Sequence, residues 1–163
     1  MKKHPEETLE QYYQKAVEHT RQALEYMASF GIRPEGRVQP FLPPETREKE
    51  LHTLPYTFKW KQEVTYQTEP GEFSALCPFS GLPDYGTVSI TYVPGSQYLE
   101  LKSLKYYLMS WRNIGATQED ITAYIFQDLM DALKDPAYLV VETVYNVRGG
   151  IRTTCTIDSR KQD

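Results

Sequence analysis

Apolar residues recur at Leu9, Tyr12, Tyr13, Ala16, Val17, Ala23, Leu24 and Met27, a spacing that predicts an amphipathic helix with Pro5, Glu6 and Glu7 at its start and Gly31 as its stop. Residues 32–55 break that pattern. Pro34, Pro40, Pro43, Pro44 and Pro55 stand among charges there, and the stretch reads as an extended connector. Alternation takes over at Tyr56, Phe58, Trp60, Val64 and Tyr66 and returns at Val88, Ile90 and Tyr92, predicting two half-buried strands on either side of a turn-rich loop. Helical spacing resumes in Leu104, Tyr107, Leu108 and Trp111, ended near Gly115, and in Ile121, Tyr124, Ile125, Leu129 and Leu133 up to Pro136. Two β-rich runs, 138–147 and 151–157, then close the chain as a hairpin around Arg148-Gly149-Gly150. The order after the first helix is ββααββ. It predicts an α+β fold with the helices on one face of an antiparallel sheet, whose edges are open to pairing between subunits. Residues 1–55 read as helix and connector, and 56–163 as the folded unit that carries the chemistry.

Composition narrows the classes of function. At 163 residues, 40% of them hydrophobic and 25% charged, the chain has room for one core and an appended element. A net charge of -4 gives no electrostatic reason to expect a binder of bulk nucleic acid. No apolar run has the length of a signal peptide or a bilayer span, so a cytoplasmic chain without membrane attachment is expected. Cys77 and Cys155 are far apart on unlike segments, which points to reduced thiols. His4, His19 and His52 all precede Cys77 without ligand-like spacing, so no metal is expected. There is no GxGxxG loop, so a dinucleotide site here is not a Rossmann one.

The candidate chemistry centres on Leu76-Cys77-Pro78-Phe79-Ser80-Gly81-Leu82-Pro83-Asp84, where two prolines and a glycine stiffen a loop carrying a thiol and a carboxylate. On residue type alone, Cys77 also reads as an ordinary buried thiol and Asp84 as a turn former. Glu119 lies in Thr117-Gln118-Glu119-Asp120, which reads equally as a helix N-terminus capped by Thr117. Glu100 reads as a strand-end charge, Lys102 and Lys105 as a basic face, and Cys155 as a core residue within a strand pattern.

The run Tyr98-Leu99-Glu100-Leu101-Lys102-Ser103-Leu104-Lys105-Tyr106-Tyr107 resembles the signature of the QueF family, NADPH-dependent 7-cyano-7-deazaguanine reductases of queuosine biosynthesis. The Cys77–Asp84 loop, Ser110-Trp111-Arg112-Asn113, Glu119-Asp120 and Arg148-Gly149-Gly150 fit the same family in the same order, over roughly residues 70–157. The resemblance implies a tunnelling fold assembled into homo-oligomeric rings with active sites between neighbours. It also implies reduction of the small-molecule nitrile to 7-aminomethyl-7-deazaguanine with two NADPH, through a thioimide on Cys77 with Asp84 as proton donor. Glu100 and Glu119, with Leu99, Leu101 and Gln118 beside them, would bind the base; Lys102, Lys105, Arg148 and Gly149 would bind the cofactor. Family members commonly carry His at the position of Gln118, and an amide cannot move a proton. Two alternatives stay open: an amidinotransferase acting on nitrile-bearing tRNA, and a non-catalytic ring-forming purine-binding module. GTP cyclohydrolase, another tunnelling-fold enzyme, needs Cys and His zinc ligands that this chain does not supply.

Overall fold

In the computed structural model, which describes residues 7–34, 36 and 38–161, the first helix is α1 (Leu9–Ser29). It starts at a reciprocal cap in which the Thr8 hydroxyl accepts from the Gln11 N–H at 3.2 Å and the Gln11 side chain accepts from the Thr8 N–H at 2.9 Å. The expected start at Pro5 and Glu6, and His4, lie outside the described residues. The helix ends at Gly31, whose φ of +75° suits glycine.

The main sheet is antiparallel and contains β2 (Val64–Gln67), β4 (Pro83–Val93), β6 (Tyr138–Arg148) and β7 (Ile151–Asp158), in that order. A short strand, β3 (Phe73–Leu76), pairs with the first residues of β4, beyond the end of β2. The two long central strands are paired from Gly86–Tyr145 to Val93–Tyr138. Val88, Ile90 and Tyr92 of β4 and Leu139, Val141 and Tyr145 of β6 are buried on one face, beneath α2 (Leu101–Ser110) and α3 (Gln118–Leu133). Trp111, Tyr107, Tyr92 and Ile121 have no exposed surface, and side chains of this size contribute about 1.5–3 kcal/mol each when fully buried. The expected helices-on-one-face α+β architecture is present, with an N-terminal helix in front of it. Among the described residues, no helix is long and apolar enough to cross a membrane.

Three details depart from the expected pattern. The long strand read from Tyr56 to Tyr66 is cut down to its end, β2, with residues 56–63 outside any strand. The Tyr56 hydroxyl donates to the Trp60 carbonyl at 2.7 Å, closing a local turn, and Phe58 and Trp60 are 73% and 70% exposed. The alternation there reports no sheet face: the Tyr56 N–H still donates to the Ser96 carbonyl at 2.8 Å, but residues 57–63 pair with no strand among the described residues. Three strands were not expected: β3, and β1 (Thr53–Pro55) at the end of the connector, which pairs with β5 (Gln97–Leu99) in a separate two-stranded sheet. The first of the two helices begins at Leu101, before the first periodic residue, Leu104, because Glu100 caps it.

The connector is extended, as expected, but its second half is packed. Phe41 and Leu42 are buried, and the Phe41 N–H donates to the Thr20 hydroxyl of α1 at 2.9 Å. Leu42 exchanges backbone hydrogen bonds with Asn113 and Gly115 at 2.9 and 3.0 Å. Beyond a single 3₁₀ turn at Pro44–Thr46, Arg47 forms a two-pronged pair with Asp128 of α3 at 2.6 and 2.7 Å. Their side chains are 6% and 14% exposed. The Tyr107 hydroxyl donates to the same carboxylate at 2.7 Å, and the Arg47 guanidinium lies 4.5 Å from the centroid of the Tyr124 ring.

Removing one member of such a pair leaves a buried charge uncompensated. Arg47→Ala is therefore expected to cost about 3–5 kcal/mol in urea unfolding, and Arg47→Met with Asp128→Leu much less than the sum of the single losses. A loss below about 1 kcal/mol for Arg47→Ala would place the pair effectively in solvent.

Candidate active site

The Cys77 loop is a tight connection between β3 and β4. Leu76 pairs with Pro83 and Ala75 with Asp84, and between them the Cys77 N–H donates to the Leu82 carbonyl at 2.8 Å while the Cys77 carbonyl accepts from Gly81 at 2.7 Å. Gly81 is required twice over. Its φ is +66°, and a Cβ there would lie 2.1 Å from the Gln39 carbonyl oxygen. The connector also grips the loop directly, the Gln39 N–H donating to Ser80 at 3.0 Å. Cys77 is half-buried and unpaired with Cys155.

Leu76 continues the loop's pairing into the segment before α3. Its N–H donates to Ile114 at 2.8 Å, and its carbonyl accepts from Ala116 at 3.3 Å. Thr117, which follows, caps α3 by accepting from the Asp120 N–H at 3.2 Å. The backbone thus sets the Cys77 loop beside the N-terminus of α3, where Glu119 is exposed and Gln118 is buried.

Asp84 points to the covered face of the sheet, with its side chain 12% exposed. Arg148, at the end of β6, donates to Asp84 at 2.8 Å and to the Thr153 hydroxyl at 3.5 Å. Its guanidinium also stacks 5.1 Å from the centroid of the Tyr145 ring. Gly149 and Gly150, with φ of +57° and +81°, turn the chain back into β7. Thr153 in turn donates to the Gln118 side-chain oxygen, and the Gln118 amide donates to the Thr143 carbonyl at 3.0 Å and the Thr143 hydroxyl at 3.1 Å. One network therefore runs from Asp84 through Arg148 and Thr153 to Gln118. It leaves the Gln118 amide committed to the protein interior. Burial lifts the Asp84 carboxyl above its ordinary range, and the Arg148 charge and hydrogen bond oppose that rise. Burial also raises the Cys155 thiol, with Glu119 adding to the effect, which disfavours a thiolate at that position.

A second group lies elsewhere. Glu100 is the cap of α2, its two carboxylate oxygens accepting from the Lys102 and Ser103 N–H groups at 2.7 and 2.8 Å. These backbone bonds hold its carboxyl below the ordinary range. Leu99 is buried, its N–H donating to the Tyr92 hydroxyl at 3.0 Å, whereas Leu101, Lys102 and Lys105 are exposed. Leu101 and Lys105 line a cleft of about 310 Å³ with Tyr66, Ile90, Leu104 and Met109, and neither Cys77 nor Asp84 reaches it. Asp84 and Tyr92 are eight residues apart on β4, about 26 Å of extended strand, so Leu99, which bonds to Tyr92, and the Glu100 cap lie toward the other end of the sheet, while the cleft on Leu101 and Lys105 runs back to Val88 and Glu72. The chain brings Cys77, Asp84, Gln118, Glu119, Arg148 and Gly149 to one end. It leaves Leu99 and Glu100, with the exposed Leu101 and Lys102 that follow, toward the other, and Lys105 one turn further along α2.

Thr153 and Tyr145 also contact Arg148, although in the sequence they read as plain strand positions. The available signal was Gly86, a glycine inside a strand pattern, which marks close approach of a neighbour. It lies opposite Tyr145, and a Cβ there would meet the Tyr145 ring at 2.7 Å.

A family model described as QueF-like protein matches residues 83–163. A Thermotoga maritima protein named NADPH-dependent 7-cyano-7-deazaguanine reductase is 53% identical over 92 residues, which are 56% of this chain. The chain spans 66% of that relative's length, just under two thirds. A Chlorobaculum tepidum protein of the same name is 47% identical over 100 residues, covering 61% of this chain and 85% of that protein. Among solved structures, an archaeosine synthase QueF-Like in the apo form superimposes with a TM-score of 0.55 at 18% identity, covering 66% of this chain and all of that one. At that identity the likeness bears on the fold.

The raised carboxyl favours the protonated form in the folded chain. Asp84 therefore supports the fold below the unfolded carboxylate value, and that support is lost as pH rises through its folded value. Arg148→Gln removes the opposing charge, so Asp84 is expected to titrate at higher pH than in the parent when its carboxyl carbon is followed by NMR. A midpoint that stays put or falls would show that the pair does not hold in solution.

Proposed function

This chain belongs to the QueF family, and from that premise we propose that it reduces 7-cyano-7-deazaguanine to 7-aminomethyl-7-deazaguanine, a step toward queuosine in tRNA. The observation that carries the reading is the end-of-sheet cluster. A thiol in a rigid loop and a desolvated carboxyl lie on one side of the N-terminus of α3, where Glu119 is free to face a ligand.

In this reading the Cys77 thiol adds across the nitrile, sulfur to carbon and proton to nitrogen, with Asp84 carrying the proton. Burial shifts the carboxyl toward the neutral form that donation requires, and Arg148 opposes that shift. NADPH, when bound, supplies hydride to the substrate carbon twice per nitrile, taking the thioimide through an imine to the primary amine. Asp84 delivers the matching protons, and Cys77 leaves as thiol after the first reduction. Glu119 accepts hydrogen bonds from the ring N–H and exocyclic amine of the base. The exposed cations Lys102 and Lys105 suit the cofactor's phosphates. Because they lie on α2, apart from the cluster of Cys77 and Asp84, they fit a site completed by a neighbouring copy. The open edges β2 and β7 fit a ring that provides one.

Intact mass of the chain mixed with the nitrile is expected to show a covalent adduct that Cys77→Ala abolishes. An adduct that persists in Cys77→Ala, or none in the parent with or without NADPH, removes the thioimide route. Product formed with ammonia and not with NADPH would move the chain to the amidinotransferases.

Assembly is tested by mixing inactive chains after dissociation. Cys77→Ala reassembled with Lys102→Ala/Lys105→Ala is expected to regain part of the activity, because some interfaces then join an intact thiol to intact lysines. No recovery, or full activity in a monomer by light scattering, would place the lysines in the same chain's site or outside it.

A further inference from the structure

From Tyr145, opposite Thr153, to Arg148, opposite Ile151, β6 advances three residues while β7 advances two. The extra residue is a β-bulge, and a bulge re-aims the side chains that follow it. Side chains alternate along a strand, so without the bulge Arg148 would stand on the opposite face of the sheet from Tyr145. With it, the guanidinium lies on the face of Asp84, Tyr145 and Thr153. One of its nitrogens donates to the Asp84 carboxyl group at 2.8 Å and another to the Thr153 hydroxyl at 3.5 Å.

The Gln118 side chain settles which way each hydrogen bond in this cluster points. The Thr143 carbonyl can only accept, so the nitrogen of the buried Gln118 amide faces it at 3.0 Å, and the amide oxygen faces Thr153. That oxygen also can only accept, so the single hydroxyl proton of Thr153 points at Gln118. The Thr153 oxygen is left with lone pairs, and a guanidinium has only donors to offer. On the inner side, Thr122 donates to the Gln118 backbone carbonyl at 2.7 Å, while the Thr143 hydroxyl accepts from the Gln118 amide at 3.1 Å and donates to Thr122 at 2.7 Å. Each hydroxyl of the set therefore has one direction.

We propose that Thr153 is a positioning residue for the reaction: oriented by Gln118, it holds Arg148 against Asp84 and so sets the pH range over which Asp84 delivers protons. The proposal rests on the reductase reading, in which Asp84 is the proton donor, and deepens it. The charged and titratable groups gathered around Asp84 are Arg148 and Tyr145 of β6, Cys155 of β7, Glu119 of α3 and the Cys77 thiol on the loop leading into β4; of these, Arg148 opposes the effect of burial on the carboxyl. At 3.5 Å the bond to Thr153 is long, so its loss loosens the half-exposed guanidinium without freeing it from Asp84.

The test follows the Asp84 carboxyl carbon by NMR through a pH titration of the intact chain without ligand. Thr153→Val, which keeps the shape and removes the acceptor, is expected to raise the Asp84 midpoint, in the direction of Arg148→Gln but by less. Thr153→Ser is expected to keep the parent midpoint. Added to Arg148→Gln, Thr153→Val is expected to move the midpoint no further, because the hydroxyl acts only through the guanidinium. Thr153→Cys, whose thiol fills the seat and accepts only weakly, carries the same expectation if Thr153→Val folds poorly. An unmoved midpoint in the single variant, or the same shift in both backgrounds, would overturn the proposal and leave Thr153 a structural residue. In turnover, the pH at which kcat falls on the alkaline side is expected to rise with the midpoint in Thr153→Val, with the KM for the nitrile near that of the parent. An alkaline limb that stays put while the midpoint rises counts against the proposal. Failure of the reductase reading is distinct, since the parent would then form no product at any pH, whatever the titrations show.

Discussion

The segment from Asn113 to Ala116 is hydrogen-bonded along both of its edges, to Leu42 of the connector on one side and to Leu76 at the end of β3 on the other. Each backbone bond has a modest net value, about 0.5–1.5 kcal/mol. Their restraint is larger than that value, because Leu42 and Ile114 are buried and their backbone groups have no water to turn to. Gly115 allows the arrangement: a Cβ there would lie 2.1 Å from the Phe41 ring. Cys77 follows Leu76 and Thr117 follows Ala116, so backbone pairing sets the thiol relative to the N-terminus of α3, and side-chain rotamers add only the last few ångströms. The connector is therefore part of the scaffold of the site, anchored at Thr20 of α1, at Gln39 against the loop, and at Arg47 against α3.

At Asp84 two opposing effects meet. Burial favours the neutral carboxyl and Arg148 favours the ionised one, and burial is the larger. The balance is adjustable because Arg148 is itself half in solvent, with its side chain 46% exposed, on a turn of two glycines. A carboxyl held this way has a proton to deliver, whereas one locked in a fully buried ion pair is already ionised and has none.

Much of the architecture was legible from period alone. The strands around Val88–Tyr92 and 138–157 and the helix around Ile121–Leu133 carry long, unambiguous patterns, and each packs through the residues that define the pattern. The reading failed where pattern and packing part company. Tyr56, Phe58 and Trp60 alternate without a sheet beside them, whereas β3 and β5 are too short to show any period. Prolines made the connector look detached, but a prolyl chain lacks donors only at the prolines, and Phe41 and Leu42 between them pair normally. The loop carrying Cys77 and Asp84 was legible from its turn chemistry. That Arg148 engages Asp84, and that Tyr145 lies beneath Arg148, depends on strand register across β4 and β6, which no local window contains. Glu100 shows the same limit in reverse: its position before a helix allowed a cap, and only the structure shows both oxygens engaged in one.

The amide at Gln118 joins α3 to the β6–β7 hairpin through Thr143 and Thr153, and it carries no charge in any solution the protein can survive. An imidazole in that seat would gain or lose a proton near neutrality, and each change would rewrite which neighbours give and which receive. Here the joint is chemically mute. Acid or base reaching the site changes the reactive groups without loosening the framework that holds them, so the helix and hairpin keep their spacing while the chemistry beside them switches.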